Sequence, residues 1–568
     1  MKVKHLKAFI ITMLATGCGL FVFLMLMPID PTRGKLVNYA VIHGIMTGLQ
    51  LLLLLFLGFV LYRLYRKPAW AEKLRSTAHK WLTQPAKRLF CVQFFLIIAL
   101  IFSTEGFLLT FFVLPEPARP LILWMGSGFF IAWFFLRVVY ANSYKQRLTI
   151  LKRIQRRWHS WSQAQRRTFL VLVILGTIAF LIYFPINYGG RIHPDEDVIY
   201  PDVVNMLIPG ETFYDTLRDT FIIDSWWYGY PYFPLCALTL VIPRLLFGIA
   251  FAEKVTLNLL IMRQFISVLP MILSLIWMVY LVNAFKSMWK SVGMFVMLML
   301  IPGVVRYNTR FWHPDGIIVL LIVLTFWLLK RDKLRFGVNY YLAAAAIGLN
   351  AAIKVWGLFF FLAIGGYLLA GMIEKKLTIW GALRVGSLFI LVMAATIVIT
   401  MPSILIPWNL KTYIAEMNEY YPVMRYGYDE PDPQGVYRTG LAAWMVFFRI
   451  HYMQDFFFYF SVFAALAGSL LGTSKTLNRF ILAWCGVIGV YLVNWIAVKS
   501  FQYMLPLMIP LYASAFMFPH IAGGSGYPKA LGFLANTKTK TYLKIIVVML
   551  VLIQLYFNLK MIPISLRY

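Results

Sequence analysis

Apolar residues gather into long runs at 8–29, 37–62, 90–114, 120–141, 168–188, 264–285, 291–309, 315–330, 339–353, 355–373, 384–406, 456–472, 479–497, 503–519 and 543–562. Most come near the roughly 20 residues that a helix needs to cross a bilayer. The pattern therefore predicts an all-α polytopic membrane protein with about 15 transmembrane helices. One further apolar stretch, Tyr232–Phe251, is interrupted by Pro234, Pro243 and Arg244. It is read as a juxtamembrane or re-entrant element, which is tolerated where protein covers the backbone. No internal repeat and no low-complexity tract stands out. The first four runs form an N-terminal transmembrane region over 1–165, and the remaining 166–568 form a second region with external loops at 189–260 and 407–455.

The polar stretches set the sidedness. The linkers at 63–88 and 144–167 are strongly basic and belong in the cytoplasm. Alternation then puts Arg191-Ile-His-Pro-Asp-Glu-Asp197 on the opposite face, just where the run 168–188 ends. The basic loops Phe285–Lys290 and Lys330–Arg335 are cytoplasmic by the same rule, which places His313-Pro-Asp315 outside. That parity holds only if Tyr232–Phe251 does not cross the membrane once. Fourteen of the 22 acidic residues fall between 193 and 224 or between 416 and 455, both on the predicted outer side. Acids contribute little to orientation, so their asymmetry points to a functional external surface.

Composition agrees. Of 568 residues, 61% are hydrophobic and 13% charged, which excludes a soluble globular chain. A formal charge of +31 could suggest nucleic acid, but the basic residues lie in short loops between apolar runs. Topology and anionic lipid account for them, and no nucleic-acid partner is expected. The four cysteines are scattered and imply neither a disulfide framework nor a cysteine zinc site. Met1–Lys7 and the run that follows resemble a signal sequence, read as an uncleaved first span.

Several ionisable residues could carry chemistry. Asp195 and Glu196 form an acidic pair at a membrane exit, where one carboxylate can act as general base on a hydroxyl and the other can orient it. The alternative is a solvated loop start. His193 is open between hydrogen bonding to a substrate and capping a helix. In Arg306–Gly316, Arg306 and Arg310 suit a phosphate, and Arg310, His313 and Asp315 could converge with the first cluster. Otherwise His-Pro-Asp is simply a helix start. Lys354, Arg263 and Lys499, the last followed by Tyr503, fall at the external interface, where each can hold an anion or anchor in the headgroups. Glu105 and His43 lie in or near apolar runs of the first region and can be functional or merely packed. No phosphate loop, dinucleotide fingerprint, H-E-x-x-H or G-x-S-x-G is present, so an energised substrate would arrive in the membrane.

Taken in order, these features resemble the GT-C superfamily of membrane glycosyltransferases, in the branch of protein O-mannosyltransferases and aminoarabinose transferases. The resemblance rests on His193-Pro-Asp-Glu196, Tyr230-Pro-Tyr-Phe-Pro234, a span opening at Arg263, the step from Arg310 to Asp315, a glycine-bearing helix from Gly348 to Lys354, and Lys499 to Pro506. It covers about 168–520, and the four N-terminal spans have no counterpart in the shorter members. It implies a GT-C-like helical bundle and an inverting transferase. A sugar would pass from a polyprenyl-phosphate donor to a hydroxyl of a glycan, lipid or protein acceptor at the extracytoplasmic membrane face. Asp195 would be the catalytic base with Glu196 its helper. Arg263, Arg310, Lys354 and Lys499 would be candidates for the donor phosphate, with Tyr503 contacting donor or acceptor and His193, His313 and Asp315 completing the site. No cofactor is required; a divalent metal would be compatible, although no metal ligands are assigned. A transporter or flippase of lipid-linked substrates is the rival reading, and a non-catalytic scaffold whose acidic loops bind a partner is a second.

Overall fold

In the computed structural model, the described residues are 3–26, 39–66, 68–73, 76, 158–188, 193–210, 219–220, 223, 228–310, 312–401, 407–427, 437–522, 527 and 529–567. All regular structure among them is helical, as expected of an all-α polytopic membrane protein. The runs at 90–114 and 120–141, Glu105 and Arg191 lie outside the described residues, as do the side chains of His43 and Arg310. The chain divides into two compact units, Met1–Ser160 with Leu207–Asp219 and Arg244–Ile249, and Trp161–Met206 with Thr220–Pro243 and Ala250–Tyr568.

Within the first unit, α1 (Val3–Leu26) packs on α2 (Tyr39–Arg66). Ile10, Leu64 and Ala71 bury together there, and buried Gln50 donates to the Gly17 carbonyl at 3.0 Å.

The second unit begins with α3 (Gln163–Tyr188) and the short α4 (Pro194–Asn205), followed by α5 (Tyr232–Phe247). Next comes α6 (Val255–Asn283), whose backbone widens into a π turn at Arg263–Val268. Pro270, which has no N–H to give to Ile266, stands just beyond that turn. The chain continues through α7 (Met288–Met299), α8 (Pro302–Arg310), α9 (Asp315–Asp332), α10 (Val338–Ile353), α11 (Phe359–Ile373) and α12 (Ile379–Thr400). It ends with α13 (Pro407–Tyr426), α14 (Leu441–His451), α15 (Asp455–Leu470), α16 (Lys475–Trp495), α17 (Phe501–Met517) and α18 (Thr537–Ser565).

Among the described residues nine helices are long and apolar enough to cross a membrane, or up to eleven if each of two bent pairs is one span. The run 291–309, expected as one straight helix, is instead α7 and α8 with a 64° bend between them. Pro302 at the start of α8 cannot donate backward, so the first helix ends there. A second bend, of 105°, separates α14 from α15. The two bends meet at Gly303, where a Cβ would lie 2.9 Å from the His451 carbonyl.

The element expected to be broken at Pro243 and Arg244 is α-helical through both, to Phe247, where Gly248 with φ of +59° opens a 3-10 turn to Glu253; together Tyr232–Glu253 passes the length and apolarity test for a span. Arg244 does not interrupt it, because the buried guanidinium donates from Nε to the Leu207 carbonyl at 2.9 Å. Tyr232 stacks on Trp312, while Arg263 meets the same group through Glu196, so the chain between them leaves one level and returns to it.

At the centre lies α17, buried on every side from Phe501 to Met517. It contains Pro506 and Pro510. Pro510 has no N–H for the Pro506 carbonyl, and the Trp484 indole N–H fills that vacancy at 2.9 Å. A different device holds the turn between α9 and α10, where the buried Asp332 carboxylate accepts from the N–H groups of Arg335, Phe336 and Gly337 and from the Tyr367 hydroxyl.

Helices α10 and α12 approach most closely at Gly348, where a Cβ would stand 2.6 Å from the Met393 carbonyl oxygen. Backbone cannot yield as a side-chain tip can, so Gly348→Ala should cost about 1–3 kcal/mol and lower the melting temperature of the purified protein. Gly293→Ala, placed in open space, should not. Equal melting curves would mean that α10 and α12 are not in contact there.

Candidate functional site

The site grows from the start of α4. Pro194 occupies the first helical turn, where its missing N–H costs nothing, and His193 caps it. His193 Nδ1 accepts from the Asp195 N–H at 3.2 Å, and the His193 N–H returns a bond to Glu196 Oε2 at 2.9 Å. An acceptor role needs the Nδ1 lone pair, and burial lowers the His193 pKa in keeping with it. Of the two readings open from sequence, capping is the one these contacts support.

Capping fixes the neighbouring carboxylates in opposite directions. Glu196 is fully buried and receives Arg263 Nε at Oε1 (2.8 Å), an Arg263 terminal nitrogen at Oε2 (2.5 Å) and the Trp312 N–H at Oε1 (2.8 Å). Arg263 gives a further bond to the Asn187 carbonyl at 3.0 Å. One ion pair thus ties the end of α3, the start of α4, the π turn of α6 and the segment before α9. Glu196 and Arg263 were expected as a catalytic helper and a phosphate ligand. Their geometry gives them instead to each other, and Arg263 is only 1% exposed.

Asp195 is left pointing away from this clamp. Its side chain is 40% exposed, and His193 Nδ1 lies 3.8 Å from the carboxylate. It lies within electrostatic reach of Tyr228, His313 and Lys354. Those three belong to a buried chain of polar groups. The Tyr228 hydroxyl meets His313 Nε2 at 2.5 Å, His313 Nδ1 contacts the Asp315 carboxylate, and Lys354 Nζ reaches both Asp315 oxygens at 3.0 and 3.2 Å. Burial holds His313 below its usual pKa, and a neutral ring can accept the Tyr228 hydroxyl hydrogen bond at Nε2. Burial likewise lowers Lys354, against the opposing pull of Asp315.

Local backbone makes this chain rigid. The Ser267 hydroxyl receives the His313 N–H at 3.0 Å, and the Tyr307 hydroxyl donates to the His313 carbonyl while accepting the Gly316 N–H at 2.7 Å. Gly229 donates to the Ile353 carbonyl at 2.9 Å, and a Cβ on it would sit 1.5 Å from the Ala352 carbonyl oxygen. Tyr228 and Lys354, far apart in sequence, are therefore brought together by backbone contact. Around Lys354 Nζ stand the rings of Trp356, Tyr503 and Tyr228, at 4.8, 5.1 and 5.9 Å from their centroids. Such faces attract an ammonium group. Tyr503 in turn approaches the Tyr420 hydroxyl of α13 at 3.3 Å.

Of the residues singled out by sequence, His193, Asp195, Glu196, Arg263, His313, Asp315, Lys354 and Tyr503 thus belong to one connected region. Lys499 donates instead to the carbonyls of Arg438 (2.7 Å) and Ala497 (3.2 Å), and the side chain of Arg310 lies outside the described residues. Tyr228, Tyr307, Ser267 and Trp312 escaped the sequence reading. Tyr307 and Trp312 lie within the Arg306–Gly316 cluster, and Tyr228 stands two residues before the Tyr-Pro-Tyr-Phe-Pro element. Among the described residues no three His, Cys, Asp or Glu side chains converge to hold a metal ion. Compared with known protein families and with curated proteins, the chain matches none.

Two outcomes follow from burial. Glu196→Gln strands the Arg263 charge and should lower stability by about 3–5 kcal/mol in thermal unfolding, whereas pairing it with Arg263→Met should recover much of the loss. An equal loss in the double variant would show that the charge pair is not the tie. Because His313 is held neutral, its folded pKa lies below the unfolded value. Its contribution is therefore present above about pH 6.5 and is lost as pH falls through the folded pKa. Stability measured from pH 7 to pH 5 should decline, and His313→Gln should flatten that slope.

Proposed function

We propose that the protein is an inverting glycosyltransferase that uses a polyprenyl-phosphate sugar at the extracytoplasmic face of the membrane, with Asp195 as general base. The observation that carries this reading is the division of labour between adjacent carboxylates. Glu196 is spent on Arg263, while Asp195 stays accessible beside a buried, cation-bearing chain. Several helices long and apolar enough to span a membrane are in keeping with a donor that arrives in lipid.

In this reading Asp195 takes the proton of an acceptor hydroxyl as its oxygen attacks the anomeric carbon. The carbon–oxygen bond to phosphate breaks on the opposite side, configuration inverts, and lipid phosphate departs with the bonding pair. Lys354, held by Asp315 and by aromatic faces, supplies positive charge for that leaving group, with Arg310 a second cation. Tyr420 and Tyr503 line the approach from α13, which makes 407–455 the segment for acceptor choice. The acceptor class is a hydroxyl of a glycan, lipid or protein.

Purified protein supplied with polyprenyl-phosphate sugars and membrane extracts should transfer sugar, read by mass analysis of the product. Asp195→Asn should reduce transfer about 10²–10⁴-fold with an unchanged melting temperature, while Asp197→Asn, two residues on and exposed, should stay near wild type. Undiminished transfer by the Asp195 variant would remove the proposed base.

A further inference from the structure

At the end of the helices remote from Asp195, a second polar group has no part in the reading above. His520 follows α17, and its Nε2 lies 3.0 Å from Lys290 Nζ while its Nδ1 lies 2.7 Å from Ser474 Oγ. Lys330, Lys540 and Lys544 are also within electrostatic reach of this ring. The lysines come from α7, α9 and α18, so folding rather than sequence proximity assembles them. Among the described residues no carboxylate forms an ion pair with any of them. Lys330 gives one bond to the Leu281 carbonyl at 2.9 Å.

Hydrogen-bond direction shows what this group lacks. An ammonium only donates, so Lys290 must give its proton to the His520 Nε2 lone pair. The ring is then protonated at Nδ1 and donates to Ser474 Oγ. That leaves the Ser474 hydroxyl hydrogen turned outward. Ser474 is also the N-terminal cap of α16, yet its side chain accepts no bond from the helix. The opening N–H groups of α16 consequently point from the same place, at the positive end of a 21-residue helix. The turn that presents them is fixed: Gly472 has φ of +78°, a Cβ there would fall 1.9 Å from the His520 carbonyl oxygen, and that carbonyl accepts the Thr473 N–H at 3.2 Å. Among the described residues, the Lys290 ammonium, the Ser474 hydroxyl and the opening N–H groups of α16 present donors here.

We infer that Ser474, His520, Lys290, Lys540 and Lys544 form a binding site for a phosphate group, on the face opposite the Asp195 site. Three acceptor oxygens and nearly two negative charges suit this set better than a carboxylate does. The phosphate can belong to an anionic phospholipid headgroup or be free in solution. Either source would neutralise a cluster with which no carboxylate among the described residues forms an ion pair.

The full-length protein in detergent, titrated with inorganic phosphate against chloride at matched ionic strength, should gain thermal stability from phosphate alone. Lys540→Gln with Lys544→Gln alters exposed or half-buried positions and should weaken phosphate binding about tenfold or more, and Ser474→Ala should weaken it severalfold. Lys286→Gln with Arg335→Gln, exposed basic positions outside the set of lysines within electrostatic reach of His520, should leave it unchanged. Reconstitution in nanodiscs of phosphatidylcholine with or without phosphatidylglycerol separates the sources. Native mass spectra showing phosphatidylglycerol retained by wild type and lost from the Lys540/Lys544 variant assign the site to a headgroup; phosphate binding without retained lipid assigns it to a soluble phosphate. Equal stabilisation by phosphate and chloride, or equal loss in the Lys286/Arg335 variant, would overturn the site.

Discussion

The arrangement around the start of α4 depends on a single buried carboxylate. Glu196 accepts four N–H groups from three separate parts of the chain, and its guanidinium partner reaches a fourth through Asn187. An isolated charge in this environment would be prohibitive, and a pair is tolerable only when every lone pair is used. Because the geometry is so fully determined, the neighbouring residue has little freedom. Asp195 must leave the helix on the other side, toward solvent and toward the Lys354 chain. The proposed chemistry thus inherits its direction from a structural contact that performs none of it.

Much of the architecture was legible from hydrophobic runs, because lipid exposure writes long apolar stretches directly into sequence. Helices α3, α6, α9, α10 and α16 begin and end within a few residues of their runs, apart from the eight residues that α6 adds before Arg263. The misreadings were at interruptions. Pro243 and Arg244 look like breaks in a linear pattern, but a carbonyl supplied from Leu207 makes the arginine compatible with a continuous helix. Conversely, 291–309 looks unbroken by hydropathy alone, and the sharp turn before Pro302 owes its stability to the facing bend at His451.

The site was legible as a set of residues but not as a set of roles. Motif order drew attention to His193, Asp195, Glu196, Arg263, His313, Asp315 and Lys354, and the fold does gather them. Whether a cation faces a substrate or a neighbouring carboxylate depends on side-chain direction, which spacing does not encode. Arg263 and Lys354 looked alike in sequence, yet one is sealed against Glu196, while the other pairs with Asp315 and also faces aromatic rings. Of the groups that brace His313, Tyr307 lies six residues away, but Tyr228 and Ser267 come from distant segments that no local pattern could have joined to it.

The encased helix α17 bears on how the protein is made. It is the least apolar of the nine candidate spans and the most thoroughly surrounded by protein. Lipid alone is a poor host for it, since two prolines leave carbonyls that hydrocarbon cannot satisfy. The preceding hairpin partner, α16, carries the indole that answers one of those carbonyls and emerges first from the ribosome. Membrane integration of this segment is thus a cooperative event, in which earlier helices act as the solvent for a later one.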